Sequence, residues 1–449
     1  MSRNLFVKLG AIALLMVLLL IPLLMIGSLI GDRQAKRNGV LEEIARGSSF
    51  SQRLTGPILV VPYRKTVTEW HTDEKTNERT SQIREVNGRL YFLPDTFTLD
   101  GNVHTEQRSR GIYEARLFNA DTQLQGSFHL PAQWGLGDDF KDYRFDTAYL
   151  AVGISDVRGI KSDLKLQLNG QGFDFKPGTL VPWLGDGVYV DLPAVNGLEA
   201  TNLQWSFNLA LQGTGQLEVV PVGSASTVNL KSDWPHPSFF GNYLPAERDV
   251  TADGFSASWQ TTFFATNLQQ TLEGCATNKE CMSEKTFGVS FIQPVDQYLK
   301  SDRAIKYALL FISLTFAGFF LFEVLKRIAV HPIQYGLVGM ALALFFLLLL
   351  SLAEHIGFAL AYGVSASACV VLIGAYISSV LRSLANALWF CGGLTALYGA
   401  LYVLLSAEDY ALLMGACLLF GLLGVFMMLT RKLDWYSIGK PLEPDEVAS

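Results

Sequence analysis

The chain has 449 residues, half of them apolar and 17% charged, against about 25% charged in an average soluble protein. That composition excludes a disordered chain and argues against an ordinary cytosolic enzyme, and the length exceeds what one hydrophobic core supports. The 35 basic residues against 41 acidic ones, a formal net charge of −6, exclude a general nucleic-acid binder, which needs a basic face.

The first long apolar run covers residues 5–30, preceded by Arg3 and interrupted by a single charge, Lys8. A helix crossing a bilayer needs about 20 apolar residues, so this run suffices. A cleaved signal peptide is the rival reading, with an apolar core of about 7–15 residues and an Ala-x-Ala-like site. Neither Ile26-Gly27-Ser28 nor Leu29-Ile30-Gly31 makes a good site, so residues 1–30 are read as an uncleaved anchor. Pro22 is expected to kink this helix without forbidding it.

Residues 31–303 contain no run that could span and read as a separate, mostly β domain. Leu203, Trp205, Phe207, Leu209 and Leu211 alternate with more polar neighbours, a period of two that buries one face of a strand. Phe255, Ala257 and Trp259 alternate in the same way. Leu164-Leu166-Leu168 and Phe173-Phe175 flank Asn169-Gly170, a strong hairpin signal because both residues tolerate positive φ. Further such dipeptides are Asn87-Gly88, Asp100-Gly101, Asp186-Gly187, Asn196-Gly197 and Asp253-Gly254. The expectation is antiparallel sheets in a sandwich or barrel, with helix only at 33–46 and 297–303.

Five more apolar runs follow, at 304–324, 333–353, 356–381, 384–405 and 410–429, each about long enough to span. The expected fold class is therefore an α+β membrane protein. It has six transmembrane helices, one N-terminal and five C-terminal, with a large mostly-β domain between the first and second. Residues 304–430 form the five-helix bundle and 431–449 a tail. Arg3 and Lys8, Lys326 and Arg327, Arg382, and Arg431 and Lys432 occupy alternate ends of these runs, whereas Glu354-His355 and Glu408-Asp409 occupy the others. Basic loops stay in the cytoplasm, so both termini are expected there and the large domain outside. Lys306 and Glu323 flank the second span and are expected to snorkel toward headgroups.

Of five cysteines, Cys369, Cys391 and Cys417 lie in spans, while Cys275 and Cys281 lie six apart in the outward domain. In an oxidising compartment such a pair reads as a disulfide; a two-ligand metal site, the alternative, lacks a nearby histidine. No P-loop, complete dinucleotide fingerprint, Gly-x-Ser-x-Gly elbow or His-Glu-x-x-His helix occurs, so no enzyme activity, cofactor or metal is expected. Two weaker candidates remain. Glu354-His355 at the outer membrane face has the chemistry for pH sensing or proton exchange, or is simply a polar hairpin. Trp183, Trp234, His236, Phe239 and Phe240 are candidates for a contact surface, with ordinary core as the alternative.

Four stretches carry a resemblance. They are Gly56-Pro57-Ile58-Leu59-Val60-Val61-Pro62-Tyr63, Gln293-Pro294-Val295-Asp296-Gln297-Tyr298, Arg303-Ala304-Ile305-Lys306-Tyr307-Ala308-Leu309-Leu310-Phe311-Ile312, and His331-Pro332-Ile333-Gln334-Tyr335-Gly336-Leu337-Val338-Gly339 continuing to Ser351-Leu352-Ala353-Glu354-His355-Ile356-Gly357-Phe358. Together they resemble the CreD family of inner-membrane, cell envelope integrity proteins, essentially end to end. The resemblance implies a Gram-negative inner-membrane location with a periplasmic domain, and links to a two-component system, envelope maintenance, colicin tolerance and the beta-lactam response. It supplies no catalytic or ligand-binding residues. The function expected is a non-enzymatic envelope protein whose outward domain binds an envelope protein or glycan. The alternative is a transporter or lipid-handling protein that uses the helical bundle.

Overall fold

The computed structural model describes residues 3–72, 79–193, 195–275, 281–282, 285–291, 297–326, 330–381, 384–407 and 411–431. The chain forms two compact units, residues 39–294 and residues 1–38 with 295–449.

Among the described residues the helical unit holds six apolar helices: α1 (Arg3–Gly47), α2 (Gln297–Lys326), α3 (Pro332–Ile356), α4 (Phe358–Leu381), α5 (Leu384–Ser406) and α6 (Ala411–Thr430). Five are long and apolar enough to cross a membrane; the sixth expected span is the shorter apolar stretch Leu413–Met428 within α6. The helix α1 runs through Pro22 and well past residue 30. At 1.5 Å per residue, its 45 residues reach about 67 Å, more than twice a hydrocarbon core. Several charges used to orient the chain, Arg327, Arg382, Glu408, Asp409 and Lys432, lie outside the described residues.

The start of α3 explains part of the sequence signature. His331 is its N-cap: its Nδ1 accepts from the Ile333 amide at 3.3 Å, while Gln334 Oε1 accepts from the His331 amide at 3.1 Å. Pro332 sits in the first turn, where a missing N–H costs nothing. One face of α3 (Val338, Leu342, Phe345, Phe346 and Leu349) is buried, and the other (Leu337, Met340, Leu344 and Leu348) is an exposed apolar stripe suited to lipid. Gly339 and Gly336 let α1 approach: a Cβ on Gly339 would meet Leu19 and, at 2.8 Å, the Phe316 ring, and one on Gly336 would meet Leu15 at 3.4 Å. Behind α3, Phe311, Phe345, Tyr362 and Tyr398 pack ring to ring, with Tyr398 4.6 Å from Phe311 and 4.7 Å from Phe345. A bundle cavity lined by Tyr307, Phe311 and leucines measures about 10 Å³, at the lower limit for a single water.

The β unit is a sandwich of two sheets. In sheet I the strand order is Ser238–Gly241, Phe287–Ser290, Gln216–Val220, Gln52–Thr72, Tyr149–Ile154, Gly187–Asp191 and Lys176–Pro177; Arg79–Phe92 and Tyr143–Phe145 also pair with Gln52–Thr72. Sheet II runs Glu247–Thr251, Gly254–Thr262, Ala225–Ser232, Thr96–Arg110, Tyr113–Leu130, Thr201–Thr214, Lys165–Leu168 and Gln171–Asp174. The sheets are mixed, not purely antiparallel as expected: Gln52–Thr72 pairs parallel with Gln216–Val220, and Thr96–Arg110 parallel with Ala225–Ser232. These pairings are long-range, so no local turn signal announces them. Between the sheets, Trp259 stacks on Phe287 at 5.2 Å and Phe118 meets Phe291 at 5.1 Å.

The alternating strand at Leu203–Leu211 buries those odd-numbered residues as its period requires. Asn169 (φ 49°) and Gly170 (φ 85°) turn the hairpin between Leu168 and Gln171. Two other Gly dipeptides correct the sequence reading. Asn87-Gly88 and Asp100-Gly101 lie inside long strands, not in turns. At Gly88 the cross-strand Tyr63 ring occupies the space a Cβ would need, and at Gly101 Leu230 Cδ2 would lie 2.8 Å from it. These glycines serve close packing, the less common role of that dipeptide.

Candidate functional site

A cleft of about 610 Å³ opens on sheet I of the β unit. It is lined by Tyr63, Arg64, Asn87, Arg89, Tyr91, Asp146 and Trp183, with Pro62, Gly88, Pro182 and Cys275. The floor follows from strand register. Gln52–Thr72 runs antiparallel to Arg79–Phe92, pairing Pro62 with Arg89, Arg64 with Asn87 and Val60 with Tyr91, and cross-strand partners share a face. Val60 also pairs with Tyr149, which brings that phenol beneath the same face. Trp183 meets Tyr91 edge-on at 5.6 Å, and Tyr63 meets Tyr143 edge-on at 4.9 Å. Cys275 and Cys281 are joined as a disulfide, with Cα atoms 5.2 Å apart, and Cys275 forms part of one wall.

The charges in the cleft are unequal. Arg64 pairs with Asp146 at 3.1 Å, while among the described residues no carboxylate pairs with the exposed Arg89. Burial pushes the Tyr149 phenol above its usual value, opposed by the nearby Arg89 guanidinium. Trp183, 8% exposed, has no hydrogen-bond acceptor for its Nε1. The cleft thus offers aromatic faces, an unneutralised guanidinium, an amide and a carboxylate. The lining residues include no serine, threonine or histidine.

The helical unit carries two polar clusters at opposite ends of α3. At one end Glu323 on α2 pairs with Lys8 on α1, accepts from Tyr335 Oη at 2.8 Å and from the Val330 amide at 3.3 Å; Lys8 also donates to the Val330 carbonyl at 2.7 Å. Glu323 is therefore buried and held, not snorkelling as expected; Lys306 instead pairs with Asp302 at 2.7 Å. At the other end Glu354 accepts from Tyr298 Oη at 2.9 Å and faces Arg33 of α1 at 3.6 Å. Tyr335 and Glu354 are 19 residues apart on α3, about 28 Å of rise, close to one hydrocarbon thickness. The two clusters fasten α1, α2 and α3 together at both borders of the apolar layer.

Glu354 and His355 are chain neighbours that do not share a face. Glu354 turns inward to Tyr298 and Arg33, while His355 is exposed and, among the described residues, makes no hydrogen bond or ion pair. Glu354→Ala is expected to destabilise the detergent-solubilised protein by about 1–2 kcal/mol, while His355→Gln leaves its thermal midpoint unchanged.

The expected aromatic contact surface is not assembled. Trp183 and Trp234 are buried at 8% and 7% exposure, and Trp234 Nε1 donates to the His236 carbonyl at 2.8 Å while Arg116 covers its ring at 4.4 Å. Phe239 meets Phe255 and Trp259 edge-on at 5.5 and 5.6 Å as part of the core; Phe240 is half-buried, and His236 is exposed. Only Trp183 reaches the cleft. Arg89 and Tyr91 carry no sequence signal and Asn87 reads only as part of a turn dipeptide, because register alone gathers them into the cleft. Lys8 and Glu323 did leave a signal: opposite charges, each within an otherwise apolar run. Among the described residues, no three His, Cys, Asp or Glu side chains gather to hold a metal ion.

A two-sheet domain inserted between the first and second of six apolar helices defines an α+β membrane protein with a cleft in its extramembrane part. The chain belongs to the CreD family: the model of inner membrane protein CreD matches residues 4–436. It is 36% identical over 442 residues to the inner membrane protein CreD of Escherichia coli (strain K12), covering 98% of this chain and 96% of that one.

Proposed function

We propose that this chain is a non-enzymatic envelope protein of the inner membrane that acts by binding an envelope component, protein or glycan, through its β unit. In this reading the β unit lies in the periplasm and both termini lie in the cytoplasm, as the distribution of lysine and arginine implies. One observation carries it: the cleft at Arg89, Tyr91 and Trp183 is large enough for a ligand and lined by recognition groups, not by a nucleophile and its base. The family's link to envelope maintenance agrees with it. The reading of the bundle as a transporter or lipid-handling device has no comparable support. Its interior between α3, α4 and α5 is occupied by Phe345, Tyr362 and Tyr398.

The test is photo-crosslinking in intact envelopes. A photoreactive residue at exposed position 182, at the cleft rim, is expected to capture an envelope component identifiable by mass spectrometry; the same residue at lipid-facing position 344 is not. Capture of nothing but this chain from position 182 removes the binding function. Protease reaching a carboxyl-terminal tag from the periplasm removes the orientation.

A further inference from the structure

We propose that the sheet I cleft binds an acidic saccharide, a sugar chain bearing carboxylates; this rests on the reading that the β unit binds an envelope component. Three features of the cleft converge on that chemistry. The first is the unpaired cation. Arg64 is neutralised by Asp146 at 3.1 Å, but among the described residues no carboxylate pairs with the exposed Arg89, and its planar fork suits a bidentate carboxylate. The second is the aromatic lining. Tyr91 is half-buried on the floor, on the same face as Pro62 and Arg89, and packs against Trp183 at 5.6 Å. Such rings offer flat surfaces to the apolar C–H faces of a pyranose while keeping polar tips for water. The third is the set of groups for hydroxyls. The Asn87 amide donates and accepts, and Asp146 accepts.

The volume of about 610 Å³ lies in the middle of the range of small-molecule sites. A purely apolar ligand would leave Arg89 and Asn87 unanswered. A bare anion would ignore the rings. An acidic sugar answers all of them, with Arg89 setting the preference for a negative charge and the rings and amide setting the preference for a sugar.

The test uses the full chain in nanodiscs, with binding followed by calorimetry and saturation-transfer NMR. The probes are a tetrasaccharide of alternating glucuronate and N-acetylglucosamine, the uncharged tetramer of N-acetylglucosamine, an acidic peptide and inorganic phosphate. The acidic tetrasaccharide is expected to bind, with affinity falling as salt rises. Arg89→Gln is expected to weaken it about tenfold or more, and Tyr91→Ala comparably, whereas Lys165→Gln on sheet II changes nothing. Arg89 is exposed, so its variant folds, and the unchanged thermal midpoint of Arg89→Gln verifies this. Equal binding of the neutral tetramer, preference for the peptide or for phosphate, or an unaffected Arg89→Gln variant each overturns the proposal. If no saccharide binds but the position 182 crosslink still forms, the ligand class is wrong and the binding function stands. If neither is seen, both fall.

Discussion

Glu323→Ala is expected to cost about 3–5 kcal/mol of stability, the largest loss of any single charge removal in the helical unit. The reason is what the truncation leaves behind. Lys8 lies within the apolar run of α1, 18% exposed, with Glu323 as its counter-ion and the Val330 carbonyl as its other partner. Without Glu323 the ammonium is stranded at low dielectric, and the Tyr335 hydroxyl and Val330 amide lose their acceptor as well. Lys8→Met is expected to cost less, because Tyr335 and Val330 continue to hold the carboxylate. The triple change Lys8→Met, Glu323→Leu and Tyr335→Phe removes every side chain of the network, leaving only the Val330 amide and carbonyl without their partners, and is expected to cost less than Glu323→Ala, since apolar groups of similar size replace buried ions at little cost. Residual folded fraction after heating in detergent micelles ranks the variants. Glu323→Ala matching the parent, or the triple change proving worse than Glu323→Ala, would refute the idea that this ion pair fastens α1 to α2 and α3.

That network also shows where the sequence was readable. The six apolar runs and the alternating strands follow directly from hydrophobic periodicity, because lipid and a sheet face each impose one rule on many residues. Lys8 and Glu323 were visible as charges out of place, but their partnership was not. They are 315 positions apart, and only the packing of α1 against α2 and α3 makes them neighbours. The same limit explains the cleft. Pro62, Arg64 and Val60 meet Arg89, Asn87 and Tyr91 through a register that no local pattern encodes. Glu354 stands next to His355 in the sequence, yet its structural partners come from residues 33 and 298. The parallel strand pairings escaped for the same reason, and Trp183 and Trp234 looked like contact residues because sequence does not distinguish a buried tryptophan from an exposed one. Several recognition stretches gain a physical meaning from the fold. His331-Pro332-Ile333-Gln334 caps α3, Tyr335 holds Glu323, Gly336 and Gly339 admit α1, and Tyr298 holds Glu354.

In the β unit the most severe small substitution is expected at Gly126, where even alanine should cost about 3 kcal/mol, worth roughly 10 °C in the melting of a domain this size. Gly126 sits in the strand Tyr113–Leu130 with Phe97 opposite on one side and Trp205 on the other. A Cβ there would fall against the Thr96 carbonyl oxygen, well inside van der Waals contact, and 2.7 Å from the Trp205 ring. Neither neighbour can move. The carbonyl belongs to the paired strand, and the indole is boxed by Phe97 at 6.3 Å, Phe128 at 6.3 Å and Phe207 at 5.9 Å. Relief would require parting two strands at the centre of sheet II. Gly172 provides the contrast, because it also lies in a sheet II strand but a Cβ there meets only the Gln167 side-chain amide, at 3.4 Å. Gly172→Ala is expected to be neutral or slightly stabilising, since alanine restricts the unfolded chain more than glycine does. Tryptophan fluorescence during thermal unfolding of the two variants reports the difference, because Trp205 is at the point of collision. Equal midpoints would mean that sheet II yields at its centre and that the glycine is not required by its packing.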